Sequence, residues 1–118
     1  MMAVLRALSI QQPYAEQILR GTKRHEFRDG RTHIRERVYI YASETPGPDY
    51  EFSRMNLQPG DLPTGVLVGT VEITDCTPGG PRQFRWHLAR PERLPQNLKP
   101  EKRPSRIWFY PFGKEGVS

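Results

Sequence analysis

The sequence predicts a small α+β domain built on a curled sheet or barrel of about five to six strands. Three observations carry that prediction. The chain opens strand–helix–strand, with a helix-period apolar run between two β-rich runs. Farther on, short Val-, Ile- and aromatic-rich runs alternate with Pro- and Gly-rich turns, the pattern of antiparallel strands. The 118 residues match the length of one domain, read as 1–118. Such a chain buries roughly 65% of its extended surface, enough for a core without staples.

The elements follow in order. "AVLRALSI" reads as a first strand ending near Ile10. In "SIQQPYAEQILRG", Ser9 or Gln11 flanks a helix start and Pro13 suits its first turn. Tyr14 and Ile18, with Ala15 and Leu19, form its buried stripe. Gly21 stands where a left-handed C-terminal cap belongs. In "KRHEFR" Arg24, Glu26 and Arg28 point one way, and His25 and Phe27 the other. "RVYIYAS" is a strand with Val38, Ile40 and Ala42 on one face and Tyr39, Tyr41 and Ser43 on the other. Residues 44–65 form a long Pro- and acid-rich connection with a helical turn around "DYEFSRM". "VLVGTVEITDC" is a clear strand, in which Gly69 permits a bulge or a close backbone approach. "TPGGP" is a turn. "RQFRWHLA" places Phe84, Trp86 and Leu88 on one face, and a Pro-punctuated segment leads to a last strand, "SRIWFYPF".

Composition narrows the function. Cys76 is the single cysteine, which excludes an intrachain disulfide and a thiolate metal cluster and favours a reducing compartment. With no membrane-length apolar run and no cleavable leader pattern, a cytoplasmic location is expected, without membrane contact. The net charge of +5 is unevenly distributed: residues 1–43 and 81–118 are basic, and 44–80 are acidic. Most of the cations are Arg, whose planar fork grips phosphate and stacks on bases. That layout fits either a face for nucleic acid or a simple soluble basic surface.

Catalytic motifs are scarce. His25, His33 and His87 share no metal-ligand spacing, and phosphate- and dinucleotide-binding loops are missing, so no metal and no cofactor are expected. Cys76 closes an apolar strand as a small buried residue. Tyr39 and Tyr41 look like the wall of a cleft, whereas Trp86 and Trp108 read first as core aromatics and second as stacking groups. By spacing alone, "GTKRHEFR" is a charged surface strand with a Glu–Arg pair worth under about 1 kcal/mol.

The wider stretch "LSIQQPYAEQILRGTKRHEFR" resembles the opening of ASCH domains, a group named for homology to a transcription coactivator and placed in the PUA-like superfamily. The matching features are Leu8-Ser9-Ile10, Gln12-Pro13-Tyr14-Ala15, Ile18, and the Gly-x-Lys-x-x-Glu-x-Arg signature at Gly21, Lys23, Glu26 and Arg28. "RVYIYAS", "GVLVGTVEITDC" and "FRWHLARPERL" resemble later blocks of the same family.

The resemblance implies a small PUA-like twisted barrel with one or two flanking helices. It implies a basic cleft, built around the signature, that binds RNA or a nucleotide-like ligand. The residues expected there are Lys23, Arg24, Glu26, Arg28, Tyr41, Ser43, Tyr14 and Arg106. It also admits an enzyme using the same cleft, either a metal-independent ribonuclease or a hydrolase of a modified nucleoside, with Lys23 and Glu26 as the catalytic pair. One family branch is an amidohydrolase of acylated cytidine in which a Lys activates a Thr. Here Glu26 stands at the Thr position, so that reaction does not carry over. Tyr14 replaces a frequent Trp, and Tyr41 a frequent His that would have served as a base.

Overall fold

The computed structural model describes residues 4–104 and 106–114 of the chain. The element order is β1 (Ala7–Ile10), α1 (Tyr14–Leu19), β2 (His25–Arg28), β3 (Arg37–Ala42), α2 (Asp49–Ser53), a 3-10 turn (Pro59–Asp61), β4 (Val66–Gly80), β5 (Gln83–Leu98) and β6 (Trp108–Phe109). The architecture is α+β: six strands form one sheet in the order β2-β5-β4-β3-β1-β6, accompanied by two short helices. β1 and β3 run parallel, which α1 and β2 make possible by supplying the crossover, and the other pairings are antiparallel. No pairing between β2 and β6 closes the sheet among the described residues, so the expected barrel is here an open sheet.

The main core lies between α1 and the sheet. Leu8, Ile10, Ile18, Ile40, Val71 and Trp86 are among its buried members. A helix of six residues is too short to stand alone. Burial of Ile18 contributes about 1.5–3 kcal/mol toward holding it. The expected stripe is partly met: Ala15 and Ile18 are buried, and Glu16 is buried with them. Neither Ser9 nor Gln11 caps the helix by its side chain; instead Gln12 Oε1 accepts from the Glu16 amide at 3.0 Å. The C-terminus closes as expected. Gly21 sits at φ +80°, its amide donates to the Ile18 carbonyl, and the Thr22 amide donates to that of Gln17. Those two bonds make a Schellman cap.

β4 and β5 are longer than the sequence pattern indicated. β4 runs through the expected "TPGGP" turn to Gly80, and the reversal falls at Pro81 and Arg82. β5 continues through the Pro-punctuated segment to Leu98. It does so because the register slips beside Pro91, where Arg90 takes φ +52° and removes the need for a proline amide in the ladder. At Gly69 a side chain would press against the Leu19 side chain and lie 2.5 Å from the Glu92 carbonyl oxygen, so the backbone approach there does require glycine. The last strand shrinks to Trp108–Phe109, and Ser105 of its expected span lies outside the described residues. Among the described residues, no helix is long and apolar enough to cross a membrane.

Candidate functional site

The Schellman cap decides where the signature residues go. Besides Thr22, the Lys23 amide also donates to the Gln17 carbonyl, at 3.1 Å, so residues 20–23 after α1 are wound onto its last turn. The chain leaves that cap into β2, whose Glu26 lies opposite Trp86 in the β5 ladder. Lys23 and Arg28 thereby flank Glu26 from either side along the chain.

The three side chains meet. Arg28 Nε donates to Glu26 Oε2 at 2.8 Å, and Arg28 Nη2 lies 2.7 Å from the same oxygen. Lys23 Nζ is 3.5 Å from Glu26 Oε1. Arg28 Nη2 also donates to the Ser9 carbonyl at 3.0 Å, and its Cζ lies 5.7 Å from the Trp86 ring centroid. The side chains of Lys23, Glu26 and Arg28 are 19%, 11% and 18% exposed, so the group is sunk into the surface rather than spread over it. Two cations around one carboxylate leave the group one positive charge in excess. The Arg28 Nη1 hydrogens have no partner among the described residues.

This group lines a hollow of about 500 Å³ together with Ser9, Gln11, Tyr14, Phe27, Ser43 and Ile107. Lys23 Nζ lies 5.4 Å from the centroid of the Tyr14 ring. Burial, reinforced by the nearby Glu51, Tyr50 and Glu26, pushes the Tyr14 phenol up, which keeps it a neutral hydrogen-bonding group. Ser43 reaches the hollow because the chain leaves β3 after Ala42; its amide donates to the Ile10 carbonyl at 2.9 Å.

Three expected members are placed elsewhere. Tyr41 is buried in a second core cluster with Ala7, Leu67 and Phe109, edge-on to the Phe109 ring at 5.2 Å. β6 covers that face by pairing with β1, Ala7 opposite Phe109 and Leu8 opposite Trp108, a long-range pairing that local alternation does not reveal. Arg24 precedes β2 and lines a separate hollow of about 370 Å³, whose walls include Ile18, Leu88 and Pro91. Lys23 touches both hollows. Arg106 is exposed next to Ile107 but is not itself part of the wall. Trp86, 2% exposed, is a core residue whose Nε1 donates to the Gly30 carbonyl at 2.9 Å, and it stacks on Trp108.

Sequence reasoning missed Gln11, Phe27 and Ile107, and the use of the Ser9 carbonyl. Gln11 adjoins the matched Gln12-Pro13 pair, a usable signal; Ile107 reaches the hollow through the long-range β1–β6 pairing and the bond from the Ser9 amide to its carbonyl. Among the described residues no cluster of three or more His, Cys, Asp or Glu is arranged to hold a metal ion.

Comparison with known proteins gives two findings. The family model described as "ASCH domain" matches residues 8–112. Activating signal cointegrator 1 from Homo sapiens is 34% identical over 80 residues, and that from Mus musculus is 36% identical over 81 residues. Each alignment takes in 58% of this chain and 14% of the relative, so the chain is similar to a small part of those proteins.

Proposed function

The chain belongs to the ASCH domain family, a PUA-like group of RNA-binding domains, and from that premise we propose that it binds RNA or a nucleotide-like ligand in the hollow built on Lys23, Glu26 and Arg28. The observation that carries the reading is the buried Glu26 carboxylate holding Lys23 and Arg28 in one concave wall. Glu26 positions the two cations, and the ligand's anion meets the excess positive charge. Arg28 offers Nη1 to a phosphate oxygen from a guanidinium already fixed by Glu26, the Ser9 carbonyl and Trp86, so little rotamer freedom remains to be lost on binding. Lys23 contributes a point charge, and the neutral Tyr14 phenol and Ser43 hydroxyl contribute polar selectivity. A volume of about 500 Å³ suits a ligand the size of one nucleotide.

Titrating a short single-stranded RNA against the protein across salt concentrations tests this. Affinity is expected to fall with a log–log slope of about 0.7 for each phosphate neutralised. Binding that ignores salt, or no binding to RNA of any length, contradicts it.

One observation favours a second reading, catalysis in the same hollow: Lys23 Nζ and Glu26 Oε1 are 3.5 Å apart, near enough to act as an acid–base pair. RNA cleavage and acyl-nucleoside hydrolysis, assayed beside Lys23→Ala and Glu26→Ala, decide it. Product from the wild type alone supports turnover; equal product from all three contradicts it.

A further inference from the structure

We infer that Phe27 and Arg85 form a second nucleotide subsite beside the hollow, where the base next to the one bound within stacks on the Phe27 ring. The inference rests on the RNA-binding reading and extends it from a single nucleotide to a strand.

Phe27 is an unusual apolar residue to leave at the surface. It is 44% exposed, on a strand at the edge of the sheet. It also lines the hollow, so its ring and the site share a boundary. In the β2–β5 ladder its direct partner is Arg85, whose Cζ lies 5.7 Å from the Phe27 centroid. Lys23 Nζ, from the hollow, lies 5.8 Å from the same centroid. The ring thus has near it one cation that lines the hollow and one that does not, and it remains 44% exposed. In the loop after β2, Arg31 lies over Phe84 of β5, with its Cζ 4.9 Å from the centroid, repeating the pairing of ring and guanidinium.

An exposed ring flanked by cations is the combination that sequence-tolerant binding of single strands employs: the π-face takes a base, and the cations take the phosphates on either side. An apolar protein partner would find its contact area interrupted by Arg85 and Lys23. A polyanion finds both charges complementary, which is why the occupant is RNA. Lys23 then bridges the phosphate between the two nucleotides, and Arg85 receives the following one.

The test compares two probes, adenosine 5′-monophosphate and an oligoadenylate of about six nucleotides, within the span that single-strand binding modules cover. Phe27→Ala is expected to weaken the oligonucleotide roughly tenfold to a hundredfold, and to weaken the mononucleotide, which loses only one wall of the hollow, by a clearly smaller factor. Phe27→Trp is expected to restore the oligonucleotide affinity. Arg85→Ala is expected to lower the oligonucleotide salt slope by about 0.7, one phosphate. An equal loss for both probes would make Phe27 merely a wall of the hollow and overturn the subsite. No loss for either probe would overturn it too, while leaving the cleft intact. If the wild type bound neither probe, the RNA-binding reading itself would fall, and the subsite with it.

Discussion

The molecule contains two groups of nearly the same composition: Glu16 with Arg20 and Arg93, and Glu26 with Lys23 and Arg28. Their carboxylates are equally withdrawn, with side chains 10% and 11% exposed. The difference lies in the cations. Arg20 and Arg93 are 47% and 52% exposed, and Arg93 reaches both Glu16 oxygens, at 2.9 and 3.1 Å. They form a clamp that ties α1 to β5, with the outer sides of both guanidinium groups in solvent. Lys23 and Arg28 are instead drawn into a concave wall, one over an aromatic ring on each side and the other held at three points. Under the proposed function, the same three charges serve connection in one place and presentation in the other. Shape around the cations, rather than the presence of a carboxylate, separates the two roles.

Substitutions break that comparison most visibly at the clamp. Glu16→Ala removes the carboxylate that joins helix and sheet. Because its partners are half exposed and regain water, the expected cost is about 1–2 kcal/mol rather than that of a fully buried pair. Thermal unfolding should show it as a fall of roughly 4–8 °C in Tm per kcal/mol, with RNA affinity unchanged. A loss of affinity comparable to the loss of stability would erase the distinction between the groups.

Acid should affect the clamp next. Burial alone would raise the Glu16 pKa, but hydrogen bonds from Arg93 and Arg20 more than offset it and hold the carboxyl below its ordinary 4.5. The folded state therefore keeps the proton off longer than the unfolded state does. The stabilisation is complete above pH 4.5 and is lost as pH falls from there through the folded value. Chemical denaturation at stepped pH should show a shallower acid slope for Glu16→Gln than for the wild type; identical slopes would contradict the clamp.

The smallest effect belongs to the cleft side. Burial, followed by the neighbouring charges of His87, Arg85, Lys23 and Arg24, lowers the His25 pKa below 6.5. The unfolded chain thus takes up this proton first as pH falls. Stability should decline modestly from pH 6.5 downward until the folded value is passed, and His25→Gln should remove that portion. An unchanged slope in the variant would mean that neither burial nor the neighbouring cations keep the proton off this ring.

Much of this was legible from short-range pattern. Gly21 as a cap, the Phe84–Trp86–Leu88 face, the close approach at Gly69 and the meeting of Lys23, Glu26 and Arg28 all follow from spacing within a turn or a strand, together with the family signature. What was not legible depends on partners far along the chain. Tyr41 alternates as a cleft residue should, yet β6 covers it. Glu16 looks like a solvated helix residue until Arg93, 77 positions on, folds against it. β5 outruns its prolines because a register slip beside Arg90 absorbs Pro91. Local alternation predicts a strand's two faces, but only the assembled sheet decides which face is covered.

The most direct test sets one cation from each group against the other. RNA affinity is measured at one fixed salt concentration for the wild type, Arg28→Ala and Arg93→Ala. Each variant removes one positive charge and leaves a carboxylate with one partner, so they match in net charge. The account predicts that Arg28→Ala weakens binding at least about tenfold, the loss of a charge-assisted phosphate contact, and that Arg93→Ala binds as the wild type does. Equal losses in the two variants would mean that RNA responds only to overall charge, and the Lys23–Glu26–Arg28 hollow would not be its site.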